Sequence, residues 1–293
     1  MRTQALLLTF LAAAIGALWL HADPPGGRSG GAPPGEVADP RLYLMHYGSS
    51  SFPVGFATSA AEFRGRARME LGWMFYVLVT RDRVVLIDTG FTEARRRSVF
   101  GVKPFRSPRG LLAAIGVTPD RVTDVILSHG HFDHAGELTR FGKARLWLRA
   151  PTPAILRSRH GPGGVDGYLR AARNTGRLRQ LPATAGPLTV VLALPGLRVD
   201  VRASGGHTAG SQLTRIRQGR RVFWITGDEC YLVNDCREGR PLPGRAAFSP
   251  AANRAAVVFL QKEAEQGAVL LNQHDPGLAG SLPEVLPGVH RVF

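Results

Sequence analysis

The densest chemistry in the chain is the run Ser128-His129-Gly130-His131-Phe132-Asp133-His134-Ala135-Gly136. Taken singly, each of these histidines is an ordinary surface or hydrogen-bonded core residue. Three imidazoles and a carboxylate within six residues are another matter, because these are the groups that ligate zinc and neighbouring transition metals. The run follows the apolar Val125–Leu127 directly, so its polar groups stand where a strand leaves its sheet. In an extended segment His129 and His131 project to the same side. Asp133 and His134 arrive a step later, as the chain turns, and reach a second point in space. Ala135 and Gly136 are small and let backbone pass close to an occupied site.

Three more candidates each follow a predicted strand. His207 lies in Gly205-Gly206-His207-Thr208-Ala209-Gly210, Asp228 in Thr226-Gly227-Asp228, and His274 in Asn272-Gln273-His274-Asp275. Alone, each is a weak signal. Together with the cluster they supply what a site for two metal ions needs. Five of the nine histidines are then used, leaving His21, His46, His160 and His290 without a role.

The elements that must position these groups alternate unevenly between strand and helix. Alternation and turn residues predict strands over Phe75–Thr80, Val84–Asp88, Val122–Leu127, Arg145–Arg149, Leu188–Leu194, Leu197–Arg202, Leu213–Arg217, Arg221–Thr226 and Ala268–Leu271. Helices are predicted over Thr92–Val99, Pro108–Ile115, Pro153–His160, Val165–Arg173 and Ala251–Gln266. The last has a clear start, with Ser249 as cap and Pro250 in the first turn. Two β-rich halves, each followed by helices, predict a sheet sandwich clad by helices.

With 293 residues, 44% of them apolar, the chain can bury one large core or two modest ones. The formal charge of +15 raises nucleic acid or a membrane as partners. Its make-up argues for a solvated basic surface instead. Only Lys103, Lys143 and Lys262 of the 37 basic residues are lysine, and the arginines are scattered apart from Arg95-Arg96-Arg97. That pattern, with abundant Ala, Gly and Pro, reads as a compositional bias.

Residues 1–22 carry Arg2 and an apolar stretch from Ala5 to Leu20, with Ala22 as a small residue for cleavage. This is a secretory signal layout, slightly short of the ~20 residues of a comfortable span; a retained N-terminal anchor is the alternative. Residues 23–40 are rich in Pro and Gly and predict a flexible tether before a folded domain over 41–293. Export, to a periplasm or beyond, is the expected location. Cys230 and Cys236 are too few and too close for a disulfide framework, and either close a small loop in an oxidising compartment or are two unrelated thiols.

The order His-x-His-x-Asp-His, lone His, Asp, His resembles the metallo-β-lactamase superfamily, and Leu86-Ile87-Asp88-Thr89-Gly90 resembles its upstream Asp-Thr-Gly element. The resemblance implies an α/β fold of the αββα four-layer sandwich type. It also implies a first metal on His129, His131 and His207, a second on Asp133, His134 and His274, Asp228 bridging both, and Asp88 supporting the ligand loops from behind. Two divalent ions, zinc first among them, would hold a hydroxide as the nucleophile. Within the superfamily, Asp228-Glu229-Cys230-Tyr231 is similar to the N-acyl-homoserine lactonases, where a Tyr three residues after the bridging Asp assists ring opening. Leu42-Tyr43-Leu44 with Gly48, and Met74–Val79 ahead of Asp88, resemble that family too.

Asp133 and Tyr231 are then the residues expected to act in catalysis, on a small-molecule lactone. Gly136-Glu137, in place of the usual Gly-Gly, and a frame around His207 with little proline depart from the family and are expected to reshape the pocket wall. The alternative activity is hydrolysis of a hydroxyacyl thioester, in the manner of glyoxalase II, or of another ester. A nuclease or a non-enzymatic scaffold fits less well. No nucleic-acid partner is expected, and membrane contact only through an uncleaved N-terminal segment.

Overall fold

Period-two alternation in Trp73–Leu78 sorts one strand's side chains into two separate cores. Trp73, Phe75 and Val77 point one way, while Met74, Tyr76 and Leu78 point the other, and all six are buried. A strand buried on both faces must lie between two layers, and this one does.

The computed structural model describes residues 40–150, 152, 162–182 and 188–293. The N-terminal apolar stretch, all but the last residue of the Pro/Gly-rich segment and the expected helix Pro153–His160 lie outside the described residues. One sheet has eight strands: β1 (Arg41–Pro53), β2 (Arg68–Val79), β3 (Val84–Ile87), β4 (Asp124–Ile126), β5 (Arg145–Arg149), β6 (Leu178–Leu181), β12 (Glu284–Leu286) and β13 (Val289–Arg291). Their spatial order is β12-β13-β1-β2-β3-β4-β5-β6, with β3 to β6 parallel and the other pairings antiparallel. The second sheet runs β11 (Val269–Leu271), β10 (Arg221–Ile225), β9 (Gln212–Gln218), β8 (Leu197–Ala203) and β7 (Thr189–Leu194), with β10 and β11 parallel.

Between the sheets lie Leu44, Tyr76, Leu78, Ile87 and Ile126 from the first and Val199, Val201, Ile216, Phe223 and Ile225 from the second. The outer face of the first sheet packs Leu111 and Leu112 of the helix Pro108–Ala114 and Val165 and Leu169 of the helix Pro162–Asn174. The outer face of the second packs Val257 and Leu260 of the helix Pro250–Glu265. Each such aliphatic side chain, fully buried, contributes about 1.5–3 kcal/mol. The layers are therefore helix, sheet, sheet, helix, as the sequence predicts.

Helix starts follow the expected chemistry. Ser249 accepts from the backbone N–H of Ala252 at 3.3 Å, Ser107 from that of Gly110 at 3.1 Å, and proline follows each cap. The helix expected at Thr92–Val99 is displaced to Ala94–Phe100. Strands β1, β6, β12 and β13 have no counterpart in the sequence reading. β1 is buried along most of its length rather than on alternate residues, and it is irregular between His46 and Gly48 where it pairs with β2. It therefore lacks the pattern by which a strand is read.

Candidate metal centre

Strands β3, β4, β8, β10 and β11 all deliver their carboxyl ends to one edge of the sandwich, where ligands of open sheets are usually bound. Asp88 follows β3, His129 to His134 follow β4, His207 follows β8, Asp228 follows β10 and His274 follows β11. Residues separated by up to 186 positions in sequence thus come together because their strands are neighbours.

Two groups of donor atoms form there: His129, His131, His207 and Asp228 in one, Asp133, His134, His274 and Asp228 in the other. Within each group the donors lie within 4.8 Å of one another. Asp228 belongs to both. Its Oδ2 faces His129 Nε2 at 3.7 Å and His207 Nε2 at 3.4 Å, while its Oδ1 faces His134 Nε2 at 3.1 Å and His274 Nε2 at 3.3 Å. Asp133 Oδ2 completes the second group at 3.3 Å from His134 Nε2 and 3.5 Å from His274 Nε2. His131 turns Nδ1 inward, 3.0 Å from His207 Nε2.

The donor set fits metal ions on its own chemistry. His129 Nε2, His134 Nε2, His274 Nε2 and Asp228 Oδ1 are buried and make no hydrogen bond among the described residues. Orphaned polar atoms at that depth cost free energy unless something cationic or polar meets them. The opposite ring nitrogens are all engaged, which fixes the bare nitrogen toward the centre. His134 Nδ1 lies 2.8 Å from Asp88 Oδ2, His207 Nδ1 2.7 Å from the Ala246 carbonyl, His274 Nδ1 2.8 Å from the Gly72 carbonyl, and His129 Nδ1 3.1 Å from Ser128 Oγ.

The electrostatics are those of a cavity for cations. Burial, then the positive charge that His134 would carry, holds His129 well below the ordinary imidazole range. Burial and His207 push His131 down to about 4. At His134 burial opposes the charge, yet Asp228, Asp133 and Asp88 raise its pKa well above the ordinary value. Burial likewise works against an ionised Asp228, but the surrounding imidazoles, His134 first, hold it well below the usual carboxylate range.

Asp88 is the hub behind the site. Its Oδ1 accepts from the Ser128 N–H at 2.7 Å; its Oδ2 accepts from Ser128 Oγ at 2.8 Å, His134 Nδ1 at 2.8 Å and Gln273 Nε2 at 2.9 Å. Among the described residues it is the one non-glycine with a positive φ, 67°, a conformation that Asp and Asn tolerate better than most. Thr89 holds the His134 carbonyl from the same turn, through its N–H at 2.7 Å and Oγ1 at 3.0 Å.

A cavity of about 440 Å³ opens onto the centre. His131, Asp133, His207, Asp228, His274 and Tyr231 line its floor, and Phe52, Phe56, Leu71, Trp73, Phe100, Phe132 and Phe248 its walls, with Arg245 beside them. Tyr231 stacks on Phe56 at 5.8 Å between centroids and meets His274 edge-on at 5.3 Å.

The wall departs from expectation in one respect. Glu137 does not line this cavity; it turns away, accepting from Thr92 Oγ1 at 2.5 Å and pairing with Arg140 at 3.7 Å. The Gly206–Gly210 turn contributes only His207 to the lining. A side chain at Gly206 would collide with Glu229 and Asn253, and one at Gly210 with Thr152.

Four residues that the sequence reading passed over hold the ligand loops. Glu229 accepts from the N–H of Gly206 at 3.0 Å and of His207 at 3.3 Å, and Asn253 Nδ2 donates to it at 2.8 Å. Asn272 donates to the Cys230 carbonyl and accepts from the His274 N–H, and Gln273 reaches Asp88. Glu229 and Gln273 adjoin Asp228 and His274 in sequence and Asn272 stands two residues from His274, which is the available signal. Asn253 carries none.

The sequence model of the metallo-β-lactamase superfamily matches residues 74–258. The chain belongs to the metallo-β-lactamase superfamily. This superfamily member is a metal-dependent hydrolase, and its His/Asp clusters suit a divalent metal ion. Its chain is 25% identical over 209 residues to the N-acyl homoserine lactonase AiiB of Agrobacterium fabrum, covering 62% of this chain and 67% of the relative. Among solved structures, a probable metal-dependent hydrolase from Staphylococcus aureus superposes with a TM-score of 0.65 at 17% identity, over 82% of this chain and 91% of that one. An N-acyl homoserine lactone hydrolase with the product N-hexanoyl-L-homoserine at its catalytic metal centre superposes with a TM-score of 0.64 at 19% identity, over 84% and 97%. AidC, a dizinc quorum-quenching lactonase, gives 0.60 at 16% identity, over 88% and 95%. At these identities the structures establish the shared fold.

Proposed function

We propose that this superfamily member opens lactone rings, with N-acyl-homoserine-lactone-like compounds as its substrate class, and that it does so with two divalent ions, zinc first among them. The observation that carries this reading is Asp228, whose two oxygens face two separate donor groups at the floor of a largely apolar cavity. His129, His131 and His207 would hold one ion, Asp133, His134 and His274 the other, and Asp228 both. Bound there, the ions would supply Lewis acidity and a nucleophilic water at neutral pH.

The chain's own residues supply the rest. The aromatic walls exclude water and offer an apolar surface to an acyl chain. Burial, then the charge of Asp228, keeps the Tyr231 phenol protonated well above its ordinary range, so it remains a donor at neutral pH. Its hydroxyl makes no hydrogen bond to the described residues and is placed to donate to a carbonyl oxygen as negative charge develops. Asp133 lines the same floor and is the carboxylate placed to take part beside its ligand role. The 25% identity to a protein described as a lactonase supports the substrate class.

The test is a panel of lactones, thioesters, β-lactams and phosphodiesters offered to metal-loaded protein. Lactones should turn over fastest. Faster thioester turnover would replace this reading with the hydroxyacyl-thioester hydrolase, and no turnover by protein holding two equivalents of metal would end it. We also propose export, supported by Arg2 with the Ala5–Leu20 stretch and by the Cys230–Cys236 disulfide, a bond that persists in oxidising compartments. Sequencing protein from a cell-envelope fraction should find an N-terminus between residues 22 and 30; a full-length cytosolic product would refute it.

A further inference from the structure

Cys230 and Cys236 form a disulfide, and Tyr231 is the first of the five residues it brackets. We propose that this disulfide is a positioning clamp that holds the Tyr231 hydroxyl over the reacting carbonyl. The inference rests on the role given to Tyr231 above.

The bracketed segment has two faces. Cys230, Val233 and Cys236 point into the core under the helix Pro250–Glu265, packed with Trp224, Val257 and Leu260. Tyr231 and Leu232 point the other way, into the group around Leu71, Leu242 and Ala246 that forms the cavity wall. The bridge therefore fastens the back of a strip whose front presents the tyrosine.

Besides the bridge and its buried back, the segment has a handful of restraints. The helix that follows, Val233–Arg237, is five residues long, too short to be stable on propensity. The Tyr231 hydroxyl has no partner among the described residues, so its ring is held by packing in that group and by contacts with Phe56, His207 and His274 at 5.3–6.0 Å. The polar ties of the segment run partly to the loop carrying His274, where Asn272 donates to the Cys230 carbonyl and the Val233 N–H donates to Asp275 Oδ2 at 2.9 Å, and partly through Asp235, whose Oδ1 accepts from Thr58 Oγ1 at 3.1 Å and pairs with Arg240 Nε at 2.7 Å. A covalent link over such a segment removes the open conformations that these few bonds would allow.

The experiment is a double-mutant cycle on lactone turnover at saturating substrate, joining Tyr231→Phe to Cys230→Ala/Cys236→Ala, with metal content measured for each protein. In the bridged enzyme, Tyr231→Phe should cost about 10²–10³ in kcat, the loss of one well-placed donor. Removing the bridge should cost about tenfold or more with metal content unchanged, and Tyr231→Phe in that background should then cost far less than in the bridged enzyme. Amide hydrogen exchange over residues 229–237 should quicken. If the double alanine variant does not fold, wild-type protein reduced with a phosphine, its thiols counted, takes its place in the cycle.

An equal cost of Tyr231→Phe with and without the bridge overturns the clamp, since the bridge then only adds stability. Loss of metal on removing the bridge overturns it as well, because the bridge would then serve the His274 loop. A Tyr231→Phe enzyme with full activity in the bridged state strikes at the proposed function itself and takes the clamp with it.

Discussion

The two halves of the metal centre are built from different materials. The group of His129, His131 and His207 is all imidazole apart from the shared Asp228, and its rings lean on neutral partners, Ser128 Oγ and the Ala246 carbonyl. Burial and mutual repulsion hold His129 and His131 below the ordinary imidazole range. The group of Asp133, His134 and His274 brings a second carboxylate, and Asp88 stands behind His134. There the carboxylates overcome burial and raise both His134 and His274.

The consequence follows from charge. On the proposed reading, an ion beside Asp133 and Asp228 would be more fully neutralised and more firmly held, whereas one among three imidazoles would keep more of its positive charge for the substrate. Two unshared donors of each group line the cavity, His131 and His207 in one and Asp133 and His274 in the other, while His129 and His134 lie behind them. On that reading one half would serve retention and the other polarisation.

The largest effect should come from removing what the halves share. Asp228→Ala should bring metal content close to zero by elemental analysis and reduce hydrolysis to background; one ion retained at wild-type affinity would show that the halves are independent. Next is Asp88→Asn, which keeps a residue tolerant of the positive φ but aims an amide at the donors of Ser128, His134 and Gln273, or else gives up the Ser128 N–H. Losing such a partner behind a ligand typically costs about 10–100-fold in metal affinity. Chelator competition should find this loss confined to one equivalent, and an equal loss at both would show that the two halves do not differ in how their ions are held.

The smallest expected effect is at Glu229→Gln, nearer tenfold, again by the partner-loss scale. The replacement can still accept from the Gly206 and His207 N–H groups, but its amide then confronts Asn253 Nδ2, whose own oxygen is already taken by the Leu242 N–H at 2.8 Å. The weakened equivalent should be the one that Asp88→Asn leaves intact. Should both variants weaken the same equivalent, the assignment of Asp88 and Glu229 to opposite halves is wrong.

Residue order alone made part of this centre legible. His129, His131, Asp133 and His134 lie so close in sequence that no folding could separate them widely, and an apolar strand directly before them places them at a sheet edge. Asp88 was legible only through its Asp-Thr-Gly setting. The helix starts at Ser107-Pro108 and Ser249-Pro250 were equally local, since a cap and its proline act within one turn.

What the sequence could not disclose was decided by the pairing of sheets. That Asp228 turns one oxygen to each half depends on β10 lying beside β11 and facing β4 across the sandwich, a result of hundreds of weak contacts rather than of any local pattern. The same holds for Asn253, a helix residue with nothing near it in sequence to mark it, which reaches Glu229 only because its helix covers the second sheet. Strand β1 stayed hidden for a related reason: buried along most of its length, it shows no alternation, and only its partners β2 and β13 make it a strand. Sequence determined which ligand types were available and where the nearest four would stand. Tertiary packing determined which distant residues would meet them, and with what orientation, because burial is a property of neighbours and not of order along the chain.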